Sequence, residues 1–191
     1  VIAAAGSEIK NFQWKQTIAA NKNAVIMEGG NLQQQFIDAR LNGNKAEEHR
    51  ILGNIMGRHN PLDPSLSTKG HFYAAADKGW MTPDAARQAT DRWLMDTVRA
   101  EVRNDIRVDP GNALNKLREP GTYRITGTIE GQRVSIGIDE EDRVKFIERA
   151  DNERRQRANE AETRERRAET ALQKARKRRH EKEFTHFVAR T

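Results

Sequence analysis

The feature that most constrains this chain is the run from 148 to 170, in which alanine is the only apolar residue type. Acidic residues stand four positions ahead of arginines at helical spacing: Glu153 with Arg157, Glu160 with Arg164, and Glu162 with Arg166. Such pairs stabilise a helix from its own surface. We therefore predict a long charged helix, which is either a solvated rod or one wall of a larger tube.

Composition agrees with an extended or oligomeric architecture. Of the 191 residues, 36% are hydrophobic and 32% are charged, so any core is small for the length. Cysteine is absent, which excludes disulfides and thiolate chemistry. No apolar run approaches the roughly 20 residues of a membrane span. The start lacks both a methionine and the plan of a signal peptide, so we expect a segment of a longer protein.

Residues 1–60 are predicted as a helical N-terminal segment. A helix opens near Ser7 and ends at Gly29-Gly30, because glycine favours the left-handed position after a helix. Asn31 then caps a second helix, which Asn42-Gly43 breaks. Asn44 caps a third helix, since it stands three residues before a glutamate, at the spacing of a capping box.

Residues 61–138 are predicted as a second helical unit. Two prolines at the start disfavour helix there, and Ser65 or Ser67 begins a short helix that ends near Gly79. Thr82-Pro83-Asp84 and Asp109-Pro110 each combine a capping side chain with a proline, which marks the start of a helix.

Between 123 and 138 the apolar residues recur at every second position instead of at helical spacing. This alternation predicts a β-hairpin in a region of about 122–138. A two-residue turn at Glu130-Gly131 sets Gly127 opposite Val134 and places the large apolar side chains on one face. A lone hairpin is marginally stable, so we expect this face to pack on helices or on another subunit.

The third segment, 139–191, is the long charged helix with a basic tail. Asp139 caps it, and acidic residues fill its first turn. Ala161, Ala168 and Ala175 are seven residues apart, which suggests a thin coiled-coil seam. The expected fold is therefore mainly α, with elongated helical hairpins, one inserted β-hairpin and a long charged C-terminal helix.

Two groups of residues are candidates for contacts with partners. The first group consists of cations in the tail that could contact the phosphates of DNA or RNA: Lys174, Arg176, Lys177, Arg178, Arg179 and Lys182. The alternative is a solvated helix end whose cations complement the dipole. The second group could pack between subunits: Trp93, Tyr123, Ile125, Val134, Ile136, Ile138, Ala161, Ala168 and Ala175.

No catalytic, metal or cofactor site is predicted. His180-Glu181 begins like the zinc-protease motif HExxH, but Phe184 stands where the second histidine is required. The carboxylates fall in first turns of helices and in charge pairs, so none is expected to act as a general acid. An enzyme remains the least favoured class.

Four pieces between Gly79 and Arg157 resemble a recurring unit of the internal virion proteins of short-tailed bacteriophages, also called ejection or internal core proteins. The pieces are GWMTPDAA, DRWLMDTV, DPGNAL and DEEDRVKFIERADNERRQR. The linker between the last two pieces is enlarged here into the predicted hairpin. The resemblance covers less than half of the chain.

The resemblance implies a structural role. Proteins of this family are stored inside the virion near the portal, are delivered to the host periplasm or cell envelope on infection, and help viral DNA to cross. It implies a homo-oligomeric ring or tube, with other internal, portal or tail proteins as partners and viral DNA as a further candidate partner. The alternatives are a non-specific nucleic-acid-binding module and a structural adaptor or tape-measure-like virion protein.

Overall fold

A computed structural model describes the backbone of residues 2–60, 62–129 and 131–188, and the side chains of 11–60, 62–129 and 131–179. The described part is mainly helical. It comprises helices α1 (Ile2–Leu41), α2 (Lys45–Met56), α3 (His71–Asp77), α4 (Pro83–Val108), α5 (Pro110–Arg118) and α6 (Glu140–Val188). The predicted fold class is thereby confirmed.

Four short strands form two antiparallel pairs in the described chain. Strands β1 (Gly57–Arg58) and β2 (Thr68–Lys69) close a small loop between α2 and α3, with a 3-10 turn at Pro64–Leu66 inside it. Strands β3 (Arg124–Ile129) and β4 (Gln132–Gly137) form the predicted hairpin. Its register is confirmed, with Ile125 opposite Ile136 and Gly127 opposite Val134.

The helix starts follow from the predicted capping residues. The Asn44 side chain accepts a hydrogen bond from the backbone N–H of Glu47 at 3.2 Å, and Thr82 accepts one from Ala85 at 3.2 Å. Asp109 caps α5 by accepting from the N–H of Asn112 at 3.0 Å. Each cap pairs a backbone donor that has no partner within its own helix.

The predicted break at Gly29-Gly30 is wrong, because α1 continues through both glycines to Leu41. Gly29 is required by packing rather than by a turn. A Cβ at this position would lie 2.7 Å from Cζ of Phe72. The carbonyl oxygen of Gly29 accepts a hydrogen bond from Nε1 of Trp93 at 2.7 Å. Asn42-Gly43 does end the helix, with Gly43 at φ +67°.

The predicted start of α3 at Ser65 or Ser67 is also wrong. Asp63 holds Ser65 in the 3-10 turn by accepting from its N–H and its hydroxyl. The chain then pairs as β2, and the helix begins at His71 after Gly70. The end near Gly79 is confirmed by a φ of +71° at that residue.

One hydrophobic core connects all six helices and the hairpin β3–β4. Its largest fully buried side chains include Phe36 from α1, Ile51 from α2, Leu94 from α4 and Leu114 from α5. Ala150 of α6 is fully buried in the same cluster. The core therefore takes residues from all three predicted segments, and the part of the chain that forms it is called the body below.

The apolar face of the hairpin packs on helices of the same chain. Tyr123 and Ile125 are buried to 3% exposure, and Val134, Ile136 and Ile138 are half-buried against the core. Of the two alternatives left open by the sequence, the helices of the chain itself supply the partner. Another subunit is not needed to cover this face.

Candidate functional site

The root of α6 is fixed to the body by a cluster of charges. Asp139 caps the helix by accepting from the backbone N–H of Asp142 at 2.7 Å. Nε of Arg99, on α4, donates to Oδ2 of Asp142 at 2.5 Å, and Asp96 and Asp139 lie within 4 Å of the same guanidinium. The bond to Asp142 raises the pKa of Arg99. This guanidinium stays charged and holds the first turn of α6 against α4.

A second anchor lies about four turns further along α6. The guanidinium of Arg157 donates to the carbonyl oxygen of Arg107 at 2.5 Å and to that of Val108 at 3.2 Å. These are carbonyls at the C-terminus of α4, which lack partners inside their own helix. Glu153 pairs with Arg157 at 3.1 Å and orients it. Two arginine contacts therefore set the direction in which α6 leaves the body.

Beyond this anchor α6 is a projecting helix, and we use that name for residues 158–179. Every side chain from Arg154 to Arg179 is exposed. Acidic residues pair with arginines further along the helix, at 4.0 Å for Glu160 and Arg164 and 2.6 Å for Glu162 and Arg166. This order of charges is the favourable one for an isolated helix, at about 0.2–0.5 kcal/mol for each pair.

The structure brings the predicted nucleic-acid residues together on one short stretch of the projecting helix. Lys174, Arg176, Lys177, Arg178 and Arg179 are all exposed there. Neither an ion pair nor a carboxylate occurs between 171 and 179 in the described chain. The side chain of Lys182 lies outside the described residues.

The predicted subunit-packing residues are divided between two environments. Val134, Ile136 and Ile138 are half-buried against the core of the same chain, whereas Trp93, Tyr123 and Ile125 are buried in it and have little surface left for a subunit contact. Their apolar surface is already covered by the body. Ala161 and Ala168 are instead exposed.

The exposed alanines continue the face of α6 that packs on the body. Ala150 is fully buried, and Ala161, Ala168 and Ala175 follow it at intervals of 11, 7 and 7 residues. These intervals keep the four residues on one side of a helix. Leu172 lies on the same side and is 55% exposed. We call Ala161, Ala168, Leu172 and Ala175 the seam.

A partly buried polar network that joins α1, α4, α5 and Tyr123, the residue before β3, was not predicted. Nε of Arg40 lies 3.1 Å from Oε1 of Glu101, and Nζ of Lys116 lies 2.8 Å from Oδ2 of Asp105. The hydroxyl of Tyr123 donates to the same Asp105 oxygen at 2.9 Å. Members of this network lie up to 83 residues apart in the sequence, so no local motif indicates it.

Burial shifts the pKa of two members of this network. It raises the pKa of Glu101, against the opposing effect of Arg40. It also raises the pKa of Tyr123, helped by the hydrogen bond to Asp105. Oε2 of Glu101 has no hydrogen-bond partner in the described structure. The two carboxylates are held by cations, so the network is suited to joining helices.

Two aromatic residues of α1 lie on the surface. Phe12 and Trp14 are 62% and 65% exposed. The side chains of residues 11–17 are all exposed, and the described residues cover neither ring.

Within the described residues, no three histidines, cysteines or carboxylates lie close enough to hold a metal ion. No helix found there is long and apolar enough to cross a membrane. No protein-family model matches the chain, and no match was found among curated proteins or among solved structures.

Proposed function

We propose that this chain is a non-catalytic structural subunit of a phage internal virion or DNA-ejection assembly. In this proposal it forms an oligomeric ring or tube with other copies of itself. It is stored in the virion interior, is delivered to the host periplasm or cell envelope, and helps viral DNA to cross. Other internal, portal or tail proteins are its expected neighbours.

The observation that carries the proposal is the projecting helix. Its described side chains are exposed on all sides, although its root is held firmly by Arg99 and Arg157. A helix that is fixed at one end and uncovered beyond it presents a surface to other molecules. The seam is the natural contact, because it continues the face that already packs on the body at Ala150.

The remaining carboxylates support a structural role over a catalytic one. Asp139 caps α6, and several carboxylates within α6 pair with arginines along the helix. Those of the buried network are joined to Arg40 and Lys116. A general acid with a raised pKa would need access to substrate, whereas the Glu101 side chain is only 17% exposed and is paired with Arg40.

The size of the particle in solution tests the proposal. Light scattering on the longest soluble form of the protein that includes this segment should give an oligomer. Replacing Ala161 and Ala168 with glutamate should shift the protein toward smaller species, because two charges would then be buried in the contact. Thr163→Glu with Thr170→Glu adds the same charge on the opposite side of the helix and should leave the size unchanged.

A homogeneous monomer under all conditions would contradict the proposed tube. Equal effects from both pairs of substitutions would show that charge alone, and not the seam, controls assembly. A structural adaptor or tape-measure-like protein is the second candidate, favoured by the same projecting helix. It would keep a fixed spacing between two partners without enclosing a channel.

A further inference from the structure

The cations of α6 fall into two electrically different groups. Between 151 and 170, five of the six arginines form an ion pair with a nearby carboxylate; those five are Arg154, Arg155, Arg157, Arg164 and Arg166. The sixth, Arg167, and the cations from 171 to 179 have no ion pair in the described structure. The unpaired cations are therefore concentrated toward the outer end of the projecting helix.

These unpaired cations also share a side of the helix. Lys174, Lys177 and Arg178 stand 7, 10 and 11 residues after Arg167, intervals that keep all four on one face. Arg176 and Arg179 point away from this face, and Arg179 lies above the seam, four residues after Ala175. We call Arg167, Lys174, Lys177 and Arg178 the basic face.

The basic face is electrically isolated from the body. Lys174 stands 17 residues beyond Arg157, the outermost anchor, which places it about 25 Å away along the helix. At physiological ionic strength the screening length is about 8 Å. The charges of the body therefore contribute little at this distance, and the local cations determine what binds.

We propose that the basic face binds the phosphate backbone of duplex DNA, on the side of the helix away from the seam. This inference rests on the proposed function for the choice of DNA among polyanions. The two faces then have separate tasks, because subunits meet through the seam while the basic face is turned toward DNA. The stretch from 158 to 166 has two arginines against three glutamates, so phosphate contacts begin at Arg167 and continue toward the outer end.

The chemistry of the face favours DNA over a lipid surface. Leu172 is the only large apolar residue between 171 and 179, and it lies on the seam. A helix that binds in a membrane interface needs a broad apolar face. The absence of aromatic side chains in this stretch leaves no means of stacking on bases, so binding is to the backbone and independent of sequence.

The salt dependence of binding tests the proposal. With about four phosphate contacts, the slope of log K against log salt should be about −3.5 between roughly 50 and 200 mM salt. Lys177→Ala with Arg178→Ala should lower the affinity for a duplex at least about tenfold at the low-salt end and bring the slope to about −2. Alanine preserves the helix, so the loss would come from the charges.

A matched control is available within the same turn. Arg176→Ala with Arg179→Ala removes the same charge from the other faces and should change the affinity by less than about threefold. Equal losses of DNA affinity in the two double variants would contradict the proposed role of the basic face. Wild-type affinity in Lys177→Ala with Arg178→Ala would contradict it as well. If Lys177→Ala with Arg178→Ala lost as much affinity for vesicles of anionic lipid as for DNA, the choice of DNA would be contradicted.

Particle size is measured by light scattering on the same samples. The double variant Lys177→Ala with Arg178→Ala should bind DNA more weakly and keep the particle size of the wild type. Seam variants that keep the wild-type particle size and still bind DNA would contradict the proposed seam contact and leave the basic face standing. The two ideas therefore fail independently.

Discussion

At the scale of single residues, the glycine pair in α1 shows how packing can reverse the meaning of a sequence signal. Gly29 lies against the ring of Phe72, which is only 4% exposed. Gly30, one position later, has no neighbouring atom within 4 Å of the place that a Cβ would occupy. Both glycines lie inside a continuous helix, so they differ in their surroundings and not in their backbone.

Substitution by alanine should therefore act in opposite directions at the two positions. Gly30→Ala should stabilise the fold by about 0.5–1 kcal/mol, because alanine favours helix over glycine. Gly29→Ala should destabilise it by about 1–3 kcal/mol, because the buried ring of Phe72 must move. Chemical denaturation measures both, and a stabilising Gly29→Ala would show that this close contact is absent.

The carboxyl of Glu101 makes stability depend on pH. Burial raises its pKa above the ordinary value of 4.5. The groups that face it are Arg40 from α1, Glu48 from α2, Asp105 from α4 and Lys116 from α5. With a raised folded-state pKa, the stabilising contribution is present below the ordinary value and is lost as the pH rises through the raised one.

Glu101→Gln should consequently gain stability relative to the wild type as the pH rises from about 4 to about 8. The glutamine is neutral throughout, so it avoids the cost of a buried charge. Urea unfolding at several pH values measures the difference, with the exposed Glu165→Gln as control. A difference that stays constant across this range would contradict the raised pKa.

At the scale of elements, Arg157 joins the projecting helix to the end of α4. Its guanidinium reaches two carbonyl oxygens of that end, from Arg107 and Val108. The joint lies beyond Ala150, the last fully buried residue among the described side chains of α6. We infer that this single side chain limits how far the projecting helix swings relative to the body.

Arg157→Ala should widen the distribution of distances between spin labels placed at the exposed positions Arg103 and Thr163, because one of the two anchors is lost. Helix content measured by circular dichroism should stay nearly unchanged. Arg164→Ala removes an arginine that contacts only its own helix, and it should leave the distances as they are. An unchanged distribution in Arg157→Ala would show that Arg99 and the core suffice.

Local signals in the sequence predicted several elements well. The caps at Asn44, Thr82 and Asp109 each depend on a side chain and a donor three residues away, so they can be read without the fold. The hairpin register follows from its alternation and its turn. The charge pairs of α6 are likewise local, and their predicted partners are observed.

Features that depend on distant contacts were missed. The continuity of α1 depends on Phe72 and Trp93, which are 43 and 64 residues from Gly29. The anchor at Arg157 binds backbone carbonyl oxygens, which every residue has and which therefore leave no signature in the sequence. For the candidate site, composition identified the cations, whereas the division into a seam and a basic face required the pairing seen along α6.

At the scale of the whole molecule, the chain combines one packed body with a helix that leaves it. The body buries Trp93 and packs against the apolar face of the hairpin without another subunit. The projecting helix has no core of its own, and its stability comes from ion pairs and from anchors at its root. Assembly, in our account, acts on the helix and leaves the body as it is.

A cryo-EM reconstruction of the assembled particle tests this account most directly. We predict that neighbouring subunits meet along the seam at Ala161, Ala168 and Ala175, with Lys174, Lys177 and Arg178 turned toward the channel that DNA occupies. A particle in which the projecting helix points outward into solvent, with the seam uncovered and the subunits joined through their bodies, would contradict it.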